Sequence, residues 1–345
     1  MVFRVPSYYK KFRCTAGKCT DNCCIGWEIA IDSETADFYK SFDGVFGKRL
    51  RENISDENIF ILKDERCPFL NDDNLCDIII NCGENRLCQI CRDHPRFFNW
   101  YGNIKEGGIG LSCEEGARLV LTHDSVSFDE SEVDEEPENV DGELFDLLFS
   151  AREEILSIVD REDKTLCQCL CDCLDFAQKL QFVVDNPHLS TADFVFDREQ
   201  AEGDTMSEIM DSFGEFEPID ESWTEEYNNL LERVSDGRII IEYGSVNEKY
   251  LKNIFRYFIW RYFLEGVFDE EILSKVKFAA VSVIFIWLMV MGKNDLDIWV
   301  RKNKLYSKQM EYSEENREMF YSMSYERECY EVLHLKKLMN RMFRL

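Results

Sequence analysis

The residues of this chain best suited to chemistry are its cysteines, which are concentrated near the N-terminus. Ten of the fifteen cysteines fall within residues 14–113. They are arranged as Cys14-x4-Cys19-x3-Cys23-Cys24, Cys67-x8-Cys76, Cys82-x5-Cys88-x2-Cys91 and a last single Cys113. Thiolates are ligands for zinc, copper(I) and iron-sulfur clusters, so these tight groups predict a metal or iron-sulfur site.

A framework of disulfides is the first alternative. The N-terminal residues MVFRVPSYYKKF lack the apolar segment of a secretory signal, which predicts a cytoplasmic location where thiols stay reduced. The adjacent Cys23 and Cys24 also cannot readily pair with each other. Reduced core thiols and a redox-active disulfide remain open beside the metal site.

Spacing alone separates zinc from an iron-sulfur cluster poorly. A ribbon-type zinc site needs two short CxxC pairs, and only Cys88 to Cys91 has that spacing. Clusters accept ligands from distant loops, so the pattern favours an iron-sulfur cluster and leaves zinc as the alternative. The CxxxCxxC spacing of radical S-adenosylmethionine enzymes is absent, because Cys23 is followed at once by Cys24.

Composition indicates a globular protein with an acidic surface. The chain has 345 residues, is 45% hydrophobic and 13% aromatic, and carries a formal net charge of -28. This charge repels phosphate backbones and anionic lipid, so we expect no nucleic-acid partner and no binding to a membrane surface. The longest apolar run, 278–292, is shorter than the roughly 20 residues of a membrane span and predicts a buried helix.

Shifts in composition divide the chain into three parts. Residues 1–125 hold most of the cysteine and turn residues and predict a loop-rich domain tied together by its thiolates. The acidic run DESEVDEEPENVDGE places a solvated linker at 126–143. Apolar residues then recur at three- and four-residue intervals, which predicts an all-α domain over 144–345. The predicted fold class is therefore mainly α.

Three local patterns give more specific expectations. The segment CQCLCDC at 167–173 has the helical period, so its four thiols face two sides of a helix and cannot converge on one ion. We expect them to be buried helical thiols. The segment IIIEY at 239–243 predicts a short strand. The glycines Gly107, Gly108 and Gly110 follow no dinucleotide fingerprint and predict a turn.

The motifs together resemble the flagellin lysine-N-methylase family. The resemblance is carried by FRCTAGKCTDNCCIGWEIAID, CPFLNDDNLCDI, LCQICRDHPR and GLSCEEGARLVL in the cysteine region, and by YLKNIFRYFIWRYFLEGVFDEEILSKVKFAAVSV and LYSKQMEYSEEN further on. It covers most of the chain and is weakest over 125–245. It implies S-adenosylmethionine-dependent methylation of lysine in flagellin, with a 4Fe-4S cluster in the cysteine domain.

The resemblance also assigns residues. The family's cysteines fall on Cys14, Cys19, Cys23, Cys24, Cys67, Cys76, Cys91 and Cys113. Cys82 and Cys88 are not assigned as ligands. Four other positions depart from the family pattern, where relatives have Tyr, Pro, Glu and His: His94, Glu114, Gln309 and Tyr312. If the Glu or the His of the relatives acts in catalysis, the activity of this protein is altered or lost.

Methyl transfer to lysine sets requirements for the site. Only the neutral amine attacks, and removing its proton at pH 7 costs about 4.6 kcal/mol. Candidate bases are Glu311 and Glu106, with Tyr312 a weaker one. Trp27 and the neighbouring aromatic residues can hold the sulfonium of the donor by cation–π contact, and three arginines can bind the donor's carboxylate. These arginines are Arg92, Arg96 and Arg118.

Each candidate also has an ordinary structural explanation. Aromatic residues beside cysteines are more often core, and charged residues are more often solvated. The competing class of protein is a non-enzymatic redox sensor or a zinc-stapled adaptor. A methyltransferase binds S-adenosylmethionine and methylates lysines of a protein substrate. A sensor instead changes its shape or its affinity for a partner when its cluster is oxidised.

Overall fold

A computed structural model describes residues 1–124, 127–196, 205–235 and 247–343. Four strands lie in one sheet: β1 Val2–Pro6, β2 Arg96–Tyr101, β3 Ile104–Ile109 and β4 Phe128–Glu132. The α-helices of the N-terminal part are α1 Ser33–Ser41, α2 Gly44–Glu52, α3 Asp77–Cys82, α4 Gln89–Asp93 and α5 Glu114–Thr122. Those that follow are α6 Gly142–Asp160, α7 Leu166–Asp185, α8 Thr205–Phe213, α9 Glu221–Ser235, α10 Glu248–Tyr262, α11 Gly266–Asp269, α12 Ile272–Val290, α13 Leu296–Glu311, α14 Glu314–Glu326 and α15 Val332–Met342.

The predicted fold class, mainly α, is confirmed. Within the described residues after 142, regular structure consists of helices. Several begin at residues that satisfy their free N–H groups. The side chains of Asp141, Thr165, Asp295 and Ser313 accept from the first turns of α6, α7, α13 and α14. The strand predicted at 239–243 lies outside the described residues.

The sheet has the order β2-β3-β1-β4, with β1 parallel to β3 and antiparallel to β4. Side chains alternate between its two faces. Asn99 and Glu106 point from one face toward the helices, where Asn99 donates to the carbonyl of Arg261 at 3.0 Å. The first residues of the predicted linker belong to this sheet, because 128–132 pair with β1 along its whole length.

The Gly107-Gly108 pair lies inside β3, not in the predicted turn. The missing side chains make room for aromatic rings of the neighbouring strands. A Cβ on Gly108 would lie 2.3 Å from the Phe97 ring, and one on Gly107 would lie 3.0 Å from the Phe3 ring. The two glycines are therefore needed for close packing within the sheet and not for a turn.

We expect Gly108→Ala to destabilise the protein by about 1–3 kcal/mol, because the Phe97 ring must move out of a packed sheet. The matched control is Gly142→Ala at the start of α6, where an added Cβ meets nothing within 4 Å. That change should be neutral or slightly stabilising. Urea unfolding of the two variants measures the difference. Equal stability would mean that Phe97 moves without cost.

Two hydrophobic cores organise the described residues. The larger core joins the sheet and α5 to the helices and includes Tyr101, Leu111 and Val120. The smaller core contains residues between 24 and 91, including Phe60 and Phe69. Residues 96–122 thus pack with the helices, because α5 and β3 bury apolar side chains against them.

The helix α12 runs through the larger core. Among the described residues it is the helix that is long and apolar enough to cross a membrane by length and composition, and it is fully buried within the protein. The prediction of a buried helix over 278–292 is confirmed, and the helix begins earlier than predicted. The four cysteines at 167–173 lie on α7 and are buried, as predicted.

Candidate functional site

Six thiols of the N-terminal region gather in the smaller core: Cys24, Cys67, Cys76, Cys82, Cys88 and Cys91. Short backbone links bring them together, and the Cys67 N–H donates to the Cys24 carbonyl at 2.9 Å. Cys76 and Cys88 precede the first residues of α3 and α4. Burial, together with the neighbouring thiols, raises the pKa of Cys67 to about 11. The thiols are thus close enough to influence one another's ionisation.

A second group of thiols lies beside this one, on the side of the helices. Burial raises the pKa of Cys113 to about 11, and Cys19 and Cys23 contribute to this rise. The neighbouring Cys24 and His94 lower the pKa of the Cys23 thiol. Cys14 stands apart, exposed to solvent. Seven of the eight assigned cysteines therefore fall into two adjacent groups, which meet at Cys23 and Cys24.

The ligand geometry of a metal site is not formed here. In the described part of the chain, no three His, Cys, Asp or Glu side chains are placed to hold one metal ion. The chemistry of the donor set nevertheless fits a thiolate-bound metal, because six thiols pack in one core. Cys88, which the sequence did not assign, is fully buried, and the neighbouring Cys91 lowers its pKa. Cys82, also unassigned, is half-buried against the same core.

Charged contacts hold the loop around Cys19, Cys23 and Cys24 against the helices. Asp21 forms ion pairs with Lys304 at 3.0 Å and with Lys308 at 2.9 Å, both on α13. These ammonium groups lower the pKa of Asp21 against the opposing effect of its burial. Glu114, at the start of α5, accepts hydrogen bonds from the backbone and hydroxyl of Thr20. The loop that carries Cys19, Cys23 and Cys24 is therefore held against α5 and α13.

Next to this loop, aromatic side chains line the junction between the cysteine region and the helices. The rings of Trp27 and Tyr312 are 5.2 Å apart, and those of His94 and Tyr312 are 6.5 Å apart. Ser112 donates a hydrogen bond of 2.8 Å to the Tyr312 hydroxyl. Burial raises the pKa of Tyr312, so its phenol stays protonated at neutral pH. Tyr312 can orient a ligand here but is a poor base.

A buried carboxylate, Glu311, lies directly behind Tyr312. Its Oε2 accepts from the hydroxyls of Tyr257 at 2.7 Å and Tyr262 at 2.8 Å, and lies 2.9 Å from the Arg261 guanidinium. Its Oε1 is buried and has no hydrogen-bond partner within the described part of the chain. Orphaned buried acceptors are rare in folded proteins and call for an explanation. The three contacts fix the carboxylate, whose side chain is fully buried, and they leave Oε1 with an unused acceptor position.

The turn between α13 and α14 sets the position of Glu311 and Tyr312. Asn316 on α14 donates to the carbonyl of Gln309 at 3.1 Å and to that of Glu217 at 2.9 Å. The Gln309 amide accepts from Ile219 N–H and donates to Glu217. An amide fits this place because it both donates and accepts. Gln309 thus braces the turn and does not face the junction.

Glu106 is not available as a base. It forms two hydrogen bonds of 2.6 Å with Arg152, and both side chains are buried. The Arg4 guanidinium lies 3.7 Å away. A carboxylate held by two guanidinium groups in the core has a structural explanation, so of the two predicted carboxylate bases the geometry favours Glu311.

The three arginines predicted to bind the donor each have contacts with other residues. Arg92 is half exposed beside Asp93. Arg96 lies over the rings of Tyr9 and Phe12, at 5.7 and 5.1 Å. Arg118 pairs with Asp297 at 2.7 Å. Of the four residues predicted to bind the donor, Trp27 is the one at the junction.

Sequence reasoning missed Tyr257, Arg261 and Tyr262, which complete the carboxylate network. The signal was available: Tyr257 and Arg261 are spaced i, i+4 within an otherwise apolar face of α10. A charged residue on a buried stripe predicts a buried partner. Ser112 carried no such signal, because its partner Tyr312 is distant in sequence.

Comparison with known proteins adds distant relatives. The chain is 28% identical over 131 residues to the flagellar biosynthetic protein FliU of Salmonella muenchen, a match covering 34% of this chain and 75% of that protein. It is 24% identical over 168 residues to the lysine-N-methylases of Salmonella typhimurium and Salmonella choleraesuis, covering 44% of this chain. The match spans 40% of the length of each methylase. No protein-family model and no solved structure matches the chain.

Proposed function

We propose that the protein is an S-adenosylmethionine-dependent protein-lysine N-methyltransferase whose substrate is flagellin or another lysine-bearing protein. The reaction class is supported by the distant likeness to two lysine-N-methylases. The observation that carries the proposal for the site is the buried Oε1 of Glu311, which has no hydrogen-bond partner among the described residues. The cytoplasmic location and the lack of nucleic-acid and membrane partners remain predictions from the sequence.

The reaction transfers one methyl group. The lone pair of the neutral lysine amine forms the new N–C bond while the S–C bond of the sulfonium breaks, giving S-adenosylhomocysteine, and the amine loses a proton. Since lysine is protonated at neutral pH, the site must favour the neutral amine. Desolvation at a buried junction lowers the pKa of a lysine and acts in this direction.

Glu311 has two tasks in this proposal. Its Oε1 accepts a hydrogen bond from the incoming amine and so aligns it, while the hydroxyls of Tyr257 and Tyr262 and the Arg261 guanidinium hold the carboxylate still. It then accepts the proton that the amine releases, directly or through water. Tyr312 and Trp27 form the adjacent aromatic wall, and the Trp27 ring can contact the sulfonium.

The cofactor of the proposal is a 4Fe-4S cluster, with zinc as the alternative metal. Cys24, Cys67, Cys76 and Cys91 would hold it, with Cys88 as a further thiol in the same core. Bound there, the cluster would fasten the short loops of the cysteine region and can exchange electrons. The step at Glu311 requires neither function.

Removing a thiol of the smaller core should release the metal. We expect anaerobically purified Cys67→Ser and Cys91→Ser proteins to contain less than about one tenth of the iron of the unchanged protein, because each loses a thiolate ligand. The matched control is Cys169→Ser, a buried thiol of α7. Iron, sulfide and zinc contents and the visible spectrum are measured. Unchanged iron in both core variants, or a colourless zinc protein from the start, would contradict the 4Fe-4S proposal.

A redox-sensing module is the second candidate. The CxxC pair Cys88 and Cys91 favours it, because both thiols pack in the smaller core and Cys91 lowers the pKa of Cys88. A sensor would change shape or partner affinity on oxidation and leave lysines unmodified. Mass spectrometry of flagellin incubated with the protein and S-adenosylmethionine separates the two functions, because the methyltransferase alone adds methyl groups.

A further inference from the structure

The outer face of the sheet carries a lysine enclosed by aromatic rings. The Lys105 Nζ lies 4.8 Å from the centre of the Trp100 ring, 4.9 Å from that of Phe98 and 5.7 Å from that of Phe3. Cations within about 6 Å of an aromatic face are attracted by its electrons. The three rings come from β1 and β2, the neighbours of β3 on either side. Strand pairing therefore places them around Lys105.

A carboxylate closes the fourth side of this cage. Glu135 accepts from the Lys105 Nζ at 2.5 Å and, through its other oxygen, from the Trp100 indole N–H at 2.8 Å. These two hydrogen bonds lower the pKa of Glu135. Because Trp100 itself holds Glu135, the carboxylate stays in place for any cation between the rings. We call Phe3, Phe98, Trp100 and Glu135 the ammonium cage.

The cage differs from a similar cluster on the inner face of the sheet. There the Arg4 guanidinium lies 4.1, 5.0 and 5.4 Å from the rings of Phe128, Phe149 and Trp260, with Arg4 and Trp260 buried against the helices. That cluster is a core contact. In the ammonium cage, Trp100 is 38% exposed, and the Glu135 side chain is also 38% exposed. The Lys105 side chain is 14% exposed, so the outer cluster opens to solvent mainly at Trp100 and Glu135.

We propose that the ammonium cage is a binding site for a lysine side chain of a partner protein, and that Lys105 occupies it as a built-in competitor. Aromatic rings on several sides accept an ammonium group with or without methyl groups. The carboxylate adds a preference, because it needs an N–H to accept. The cage should therefore favour lysine and its mono- and dimethylated forms over trimethyllysine. This inference does not depend on the proposed methyl transfer.

The test removes the Lys105 ammonium group from the cage by shortening this side chain. In Lys105→Ala and Lys105→Thr the ring faces and Glu135 remain, and threonine keeps a strong preference for strands. The probes are Nα-acetyl-lysine amides with zero to three Nε-methyl groups. Their binding is measured by tryptophan fluorescence and by NMR chemical-shift changes. We expect dissociation constants of about 1 mM for the dimethyl probe in the variants, and binding at least about tenfold weaker in the unchanged protein. Trimethyllysine should bind several-fold more weakly than dimethyllysine.

Two controls make the result specific. Lys249→Ala removes an exposed lysine that pairs with Asp124 away from the rings, and it should bind the probes as the unchanged protein does. Adding Glu135→Gln to Lys105→Ala should abolish the preference against trimethyllysine. The proposal is overturned if folded Lys105 variants bind no probe at several millimolar. It is also overturned if both Lys105 variants fail to fold while Glu135→Gln folds, because the amine would then be a structural element.

Discussion

Glu311→Gln is expected to lower lysine methylation by at least about 100-fold, since general acid–base groups contribute 10²–10⁴-fold. A neutral amide can neither take the proton of the substrate amine nor attract its charge. The measurement is incorporation of labelled methyl groups into flagellin per mole of folded enzyme. Binding of S-adenosylmethionine should persist, because the change leaves the Trp27 and Tyr312 rings in place.

The matched control is Tyr262→Phe, which removes one of the three contacts to Oε2 and leaves Oε1 unchanged. We expect it to lose less than about tenfold in rate, because Tyr257 and Arg261 still hold the carboxylate. Circular dichroism checks that both variants are folded, since a buried Arg261 without its anion costs stability. Equal rates for folded Glu311→Gln and the unchanged protein would remove Glu311 from the reaction.

Arg152→Met is expected to reduce the free energy of unfolding by about 3–5 kcal/mol, because it leaves the Glu106 carboxylate buried with its main partner gone. Arg4, at 3.7 Å, offsets a part of this loss. The pair joins β3 to α6, so its loss weakens the packing of the sheet on the helices. Urea unfolding followed by far-ultraviolet circular dichroism gives the value.

A surface pair provides the comparison. The Lys249 and Asp124 side chains are 43% and 97% exposed, and Lys249→Ala should change the free energy of unfolding by less than about 0.5 kcal/mol. The double variant Glu106→Gln with Arg152→Met should recover much of the lost stability, because no unpaired charge remains. A loss below about 1 kcal/mol for Arg152→Met alone would contradict the view that this pair secures the sheet.

The helical part of the fold was predictable because its signal is local. Apolar spacing and capping residues such as Thr165 and Asp295 predict helices from a few neighbouring residues. The sheet was not predicted. Its strand β4 lies within an acidic run that composition assigns to a linker, and its pairing with β1 is a contact over more than 120 residues. No local pattern encodes such a pairing.

The candidate site was predictable only where its signal is local in sequence. Cysteine spacing indicates which thiols can share a metal, yet the structure brings the unassigned Cys88 into the smaller core and leaves Cys14 exposed. Glu311 and Tyr312 were singled out from a motif, whereas Tyr257, Arg261 and Ser112 come to the junction from other elements. Glu106 illustrates the limit, because its partner Arg152 could not be known before the fold.

The measurement that tests the central claim most directly is a methylation assay. Anaerobically purified protein is incubated with S-adenosylmethionine and unmodified flagellin, and the flagellin is analysed by intact-mass and peptide mass spectrometry. We predict mass increments of one or more methyl groups at defined lysines, dependent on the donor and absent with Glu311→Gln. Unmodified flagellin after incubation with folded, metal-loaded protein that binds the donor would contradict flagellin as substrate, and a failure to modify any lysine-bearing protein of the same cell extract would contradict the methyltransferase itself.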